Sequence, residues 1–187
     1  MISNDVVLYP DPILQQKCEE VTSFNNNLKI IIDSMFKTMK SYGGVGLSAP
    51  QIGLKQRFFV IGLPEGDRVF INPVLSDLQG SEEMEEGCLS FPSVRVMCRR
   101  AKKCRINAFD VEGKSFEIEA DGLLARAVLH EADHLLGKTL LLYMNGTDRI
   151  INKKALERLE GVENGKKRTK GKRKRGRGRA SGMRMSQ

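Results

Sequence analysis

Hydrophobic and polar positions follow two different periods along this chain, and the changes of period mark its elements. Between Asn25 and Tyr42, Leu28, Ile31, Ile32, Met35, Phe36 and Met39 recur every three or four residues, which puts them on one face of an α-helix. Asparagines precede that stripe as capping residues, and Gly43 and Gly44 end it. The runs RFFVIGL at 57–63 and VFINP at 69–73 are short, apolar and rich in β-branched and aromatic residues; they predict strands, the second stopped by Pro73. KCRINAF and SFEIEA alternate in polarity on either side of DVEGK, where Gly113 can take a positive φ, and predict an antiparallel hairpin. The period then returns to 3.6: Leu123, Ala127, His130 and His134 share one stripe between a cap at Asp121 and a stop at Gly137. A last helix is expected from Thr147 to Glu160. The order predicts an α+β fold, with short mixed or antiparallel strands around the histidine-bearing helix and one helix towards each terminus.

A length of 187 residues, 40% of them hydrophobic, fits one domain with its own core. The formal charge of +8 conceals an asymmetry. Residues 161–187 carry 11 of the 31 Lys and Arg but one of the 23 Asp and Glu, leaving 20 basic and 22 acidic residues for positions 1–160. The body is nearly neutral, and the tail is almost devoid of apolar residues, so 161–187 is expected to be a disordered appendage. Its densest run, Lys172, Arg173, Lys174 and Arg175, suits polyanions through counterion release; with no aromatic residue interleaved, such binding would be nonspecific and salt-sensitive. The N-terminal MISNDVVLYPDPIL lacks a basic start followed by an apolar run, and no stretch approaches the roughly 20 apolar residues of a membrane span. No membrane role and a cytoplasmic location are therefore expected; the lack of a transit peptide disfavours an organelle only weakly. Cys18, Cys88, Cys98 and Cys104 form neither a disulfide framework nor a CxxC pair.

The chemistry concentrates in LHEADHLLG, residues 129–137, which holds both histidines of the chain. On a helix His130 and His134 stack one turn apart on one face, and HExxH is a metal signature in which the imidazoles bind the ion and the glutamate, here Glu131, acts as general base. A hydrolytic site wants a third protein ligand and an open position for water. Asp148, Glu157 or Glu160 downstream could supply a carboxylate, as in an HExxH zinc protease, but each suits the polar side of the last helix. Cys88 within EEGCLSFP is the stronger choice, because a thiolate binds divalent metals tightly and Gly87 beside it allows close backbone approach. A third segment, GGVGLSAPQ at 43–51, offers exposed glycine backbone and the amide of Gln51.

The blocks GVGLSAPQ, EEGCLS and HEADH, in that order, resemble the three signature motifs of the peptide deformylases. PDPIL at 10–14 and DGLLAR at 121–126 extend the similarity over roughly residues 5–160, which is thus expected to be a deformylase-like catalytic domain. The family commonly has Ala at Ser48, a change expected to matter little. The resemblance implies a metal-dependent hydrolase that removes the formyl group from N-formylmethionyl nascent chains and releases formate. It implies Cys88, His130 and His134 as ligands of one divalent ion, typically Fe(II), with zinc, nickel or cobalt in isolated proteins. Glu131 would move the proton, and Gln51 and the backbone N–H of Leu89 would meet the oxyanion. The peptide would lie extended near Val45, Gly46 and Gly87, with Arg95 close by, and its methionine would enter a pocket of Val45, Leu123, Ala127 and His130. Asp133 is expected to pair with an arginine such as Arg100 rather than with the metal. By analogy with members that dock on the ribosome through a C-terminal extension, ribosomal RNA is the expected partner of the tail.

Overall fold

A computed structural model describes residues 5–163 and 166–167, of which 162, 163, 166 and 167 are described by their backbone alone. The first long helix, α1 (Asn26–Ser41), begins where the sequence places it, with Asn25 capping it by accepting from Leu28 N–H at 3.0 Å. Four strands follow: β1 (Gly46–Ser48), β2 (Phe58–Leu63), β3 (Gly66–Gln79) and β4 (Glu82–Cys88). Then come β5 (Phe91–Arg100), β6 (Lys103–Phe109) and β7 (Ser115–Asp121). The helix α2 (Gly122–Leu135) carries both histidines, and α3 (Gly146–Leu159) starts at a capping box formed by Asn145 and Asp148. A two-stranded ribbon, Val162–Glu163 with Lys166–Lys167, follows. No helix among the described residues is long and apolar enough to cross a membrane.

The strands make one antiparallel sheet in the order β1-β2-β3-β6-β7, while β4 and β5 form a separate two-stranded sheet. The unbroken apolar run of β2 reflects cover on both faces of the larger sheet. Phe58 and Val60 join α1 in one core, with Ile31, Ile32, Met35 and Met39, whereas Phe59 and Ile61 join α2 in another, with Phe70, Ile106 and Val128. These four β2 side chains are at most 1% exposed, and each contributes about 1.5–3 kcal/mol by its burial. A third core, with Phe91, Val94, Val96 and Cys98, is closed by Leu140 and Met144 and by the inner face of α3.

Most predicted elements agree with the structure to within a residue or two, with two differences. The strand expected to stop at Pro73 continues to Gln79: the register jumps between Ile71 and Val74, with Asn72 at φ 51°. Proline lacks an N–H for the ladder and occupies that bulge. The β4–β5 hairpin was not foreseen. SEEMEEG is rich in glutamate, a poor strand former, and the alternation in FPSVRVMCRR ends on a buried Arg100 where an apolar residue would be expected. Asp121 does precede α2, but its side chain makes no capping hydrogen bond. The charged tail from 168 onward lies outside the described residues.

Gly137 turns the chain after α2 at φ 72°, and a Cβ there would lie 2.6 Å from the backbone oxygen of Gln15. Both the left-handed conformation and the contact oppose any larger residue, so Gly137→Ala should lower unfolding stability by more than about 2 kcal/mol in chemical denaturation. A loss under about 0.5 kcal/mol would contradict this packing.

Candidate metal centre and substrate cavity

Three segments distant in sequence meet at the centre of the molecule. Their meeting follows from the packing: α2 lies against the larger sheet, and Arg126 on α2 ties the helix to the β4–β5 hairpin by donating to Glu86 Oε1 and to the carbonyls of Cys98 and Glu82. His130 and His134, one turn apart on α2, have ring centroids 5.2 Å apart. Cys88, the last residue of β4, places Sγ 3.3 Å from His134 Nε2. One donor atom from each of Cys88, His130 and His134 lies within 4.8 Å of the other two. Gln51, in the turn after β1, donates from Nε2 to Cys88 Sγ at 3.4 Å. The direction of that amide is fixed from behind, because its Oε1 accepts from both the N–H and the hydroxyl of Ser48 at 2.8 Å. The Ser48 hydroxyl therefore has a specific task that an alanine could not perform.

Glu131 is 4% exposed and lies directly beneath β1. A Cβ on Gly46 would come within 2.8 Å of Glu131 Cγ, so only glycine lets the strand pass this close. Burial pushes the Glu131 carboxyl up to about 7, against the lowering influence of His130 and Ser48. Glu131 Oε2 and His134 Nδ1 are buried without a hydrogen-bond partner among the described residues.

A buried ionic network sets the histidines. Glu86 accepts from Arg100 Nε at 2.7 Å and Nη2 at 2.9 Å, from Arg126 Nη1 at 2.7 Å, and faces His130 Nδ1 at 2.9 Å. Burial alone would raise the Glu86 carboxyl, but the His130 and Arg100 contacts outweigh it and hold it at about 2. Glu86 thus stays ionised and directs the other nitrogen of His130, Nε2, towards Cys88. For His130, burial lowers the pKa while Cys88, Glu86 and Glu131 raise it, with a net result of about 10. His134 is held well below the ordinary histidine range by burial and by the charges of His130 and Arg100, and is neutral. Asp133 pairs with Arg100 at 2.7 Å, as its place on the helix suggested, and also accepts from the Tyr143 hydroxyl at 2.5 Å.

A cavity of about 810 Å³ opens from this centre, with Gln51, Cys88, Leu89, His130 and Glu131 in its wall. Val45, Gly46, Gly87, Arg95, Leu123 and Ala127, the six residues expected to bind peptide, all line it. Leu123 is 53% exposed, so it belongs to the cavity rather than to the core, whereas Ala127 serves both. The Arg95 guanidinium lies across Gly87, where an added Cβ would meet Nη1 at 2.5 Å. The downstream acids do not join the centre: Asp148 caps α3, Glu160 accepts from Tyr9 at 2.9 Å, and Glu157 is absent from the cavity wall. Lys172, Arg173, Lys174 and Arg175 lie outside the described residues.

Sequence reasoning did not single out Glu86, Arg126 or Tyr143. Glu86 stands two positions before Cys88, on the same face of β4 in a period-two strand, and would have been found had β4 been recognised. Arg126, four residues before His130, shares its helix face, but nothing in the sequence shows that this face is buried by acids.

The donor set fits a divalent metal. A thiol and two imidazoles, one with its second nitrogen already engaged by a carboxylate, are the ligand chemistry of zinc and iron sites. Unpartnered Glu131 Oε2 beside them is what a water-binding ion would leave for that water to meet.

A family model described as polypeptide deformylase matches residues 3–149. A peptide deformylase of Acidobacterium capsulatum is 38% identical over 165 residues, covering 86% of this chain and 97% of that protein. Peptide deformylase 1 of Clostridium perfringens is 44% identical over 129 residues, covering 68% of this chain and 88% of that protein. Among solved structures, a peptide deformylase from Legionella pneumophila superposes with a TM-score of 0.79 at 36% identity, covering 82% of this chain and 93% of its own. With its layers, its three convergent segments and these similarities in agreement, the chain belongs to the polypeptide deformylase family.

Proposed function

We propose that this chain is a metal-dependent hydrolase that removes the formyl group from N-formylmethionyl nascent polypeptides and releases formate. The observation that carries this reading is the meeting of Cys88, His130 and His134 beside the unpartnered carboxylate oxygen of Glu131, at the inner end of a cavity bordered by backbone of β1 and β4. Among the described residues each of these strands pairs on one side only: β1 is the edge of the larger sheet, and β4 pairs with β5 alone. An extended peptide between Val45–Gly46 and Gly87 finds main-chain partners there, with tolerance for varied downstream side chains. Its methionine side chain enters the apolar part of the cavity by Val45, Leu123 and Ala127, and Arg95 flanks the downstream backbone.

Cys88, His130 and His134 hold the metal, which when bound supplies a Lewis acid and brings the pKa of water towards neutrality. Glu131 receives the proton of the attacking water at Oε2 and delivers it to the leaving amine; its burial, which raises the carboxyl above the ordinary range, favours both transfers. Gln51, with its amide fixed by Ser48, and the Leu89 N–H stabilise the oxyanion. We assign Fe(II) as the working ion by family resemblance; the same donors accept zinc, nickel and cobalt. Four free, buried cysteines suit a reducing cytoplasm. The basic tail, whose charge suits a polyanion, is assigned to ribosomal RNA by analogy with family members that dock on the ribosome through a C-terminal extension.

Glu131→Gln keeps the shape and removes the base. It should reduce formate release from formyl-Met-Ala-Ser by at least ~10³-fold while one equivalent of metal stays bound, and near-normal turnover in this variant would refute the role. Alkylation provides a test independent of activity. Burial pushes the thiols of Cys18 and Cys98 up to about 11 and about 12 and also raises that of Cys104, whereas Cys88 faces the cavity. Native metal-free protein should therefore take one iodoacetamide adduct, at Cys88, and metal-loaded protein none; equal labelling in both states would remove Cys88 from the ligand set. Truncation after Gly161 should abolish low-salt co-sedimentation with ribosomes and leave deformylation of short peptides intact. Undiminished co-sedimentation would overturn the tail assignment.

A further inference from the structure

We infer that Tyr143 is a positioning residue for the metal ligand His130, acting through Asp133, Arg100 and Glu86. The inference rests on the reading of Cys88, His130 and His134 as metal ligands. Tyr143 follows the short turn Leu140–Leu142, outside α2 and outside the cavity wall. Its hydroxyl donates to Asp133 Oδ2 at 2.5 Å, and the same oxygen accepts from Arg100 Nη1 at 2.7 Å. The Arg100 guanidinium carbon also lies 4.7 Å from the Tyr143 ring centroid, and Nη1 donates to the hydroxyl oxygen at 3.3 Å. One tyrosine thus constrains both the plane of Arg100, through its ring, and the rotation within that plane, through the shared acceptor.

A guanidinium is rigid and planar, so fixing its Nη1 end fixes its Nε and Nη2 end. Those two atoms hold both oxygens of Glu86, at 2.7 and 2.9 Å, and Glu86 Oε2 faces His130 Nδ1 at 2.9 Å. The Nδ1–H bond keeps the Nε2 lone pair aimed at the ion. If the Tyr143 hydroxyl is lost, Asp133 and Arg100 remain paired but become free to turn together. Glu86 is then held in place chiefly by Arg126, which reaches only Oε1, the oxygen that does not face His130. The ring has a separate packing role in the core that contains Phe91 and Leu140, and Phe at 143 preserves it.

The full chain should be compared as wild type and Tyr143→Phe, using Co(II) as the probe. Affinity is read by competition with a chelator, and ligand geometry by the d–d and thiolate-to-cobalt charge-transfer bands. Partners of a metal-bound histidine are worth about 10–100-fold in metal affinity, and Tyr143 acts several links further out. We expect Tyr143→Phe to weaken Co(II) binding about 3- to 10-fold and to shift the d–d bands, with the thermal midpoint of the metal-free protein nearly unchanged. Unaltered affinity and spectrum in a folded Tyr143→Phe protein would overturn the inference. If Tyr143→Phe fails to fold, Asp133→Asn carries the same test at the next link, where a larger loss of affinity supports the relay and no loss overturns it. A wild-type protein without the thiolate charge-transfer band would instead refute the ligand assignment on which the relay rests, and so distinguishes the two failures.

Discussion

The structure depends on one buried anion. The Glu86 side chain is 6% exposed, and its partners Arg100 and Arg126 are 5% and 8% exposed. Taking such charges out of water costs several kcal/mol per ion, which is offset only when every lone pair and N–H has a partner in good geometry. Here both Glu86 oxygens are engaged, and the two arginines are balanced by Glu86 and Asp133. The network has little tolerance for displacement, and that intolerance is useful at a metal centre. It also joins the β4–β5 hairpin to α2, two elements whose backbones share no ladder.

The larger sheet supplies what the network cannot. With α1 on one face and α2 on the other, β2 is locked between two cores, and β1 beside it is held at a fixed height above Glu131. The closeness is tolerable only because position 46 has no side chain. The sheet therefore sets the ceiling of the site, the hairpin its thiol wall and α2 its floor. The cavity is the space left where two sheets end without pairing to each other.

Much of this was legible in the sequence because it rests on local rules. The i, i+4 spacing of His130 and His134, the cap at Asn25 and the alternation of β6 and β7 act over a few residues and read directly. Cys88 was suggested by its thiolate chemistry and Gln51 by its amide, and the three ordered blocks together, not any single one, gave them their roles and led to the cavity residues. What escaped was non-local. Glutamate-rich β4 looks like a solvated segment until Arg100 and Arg126, 14 and 40 residues from Glu86, arrive to neutralise it. Pro73 stops a strand by local preference, yet a bulge anchored by Asn72 on Arg57 and Val21 carries the strand past it.

Because Ser48–Gln51, Glu86–Cys88 and His130–His134 come from successive thirds of the body, no partial chain contains the whole of the proposed centre. Loop closures over some 40 residues on each side of Cys88 must both be completed before the three proposed donors meet, so the full donor set exists only in the folded chain. An ion that binds only the finished arrangement then acts as a latch, stabilising the native state by mass action without guiding the chain towards it.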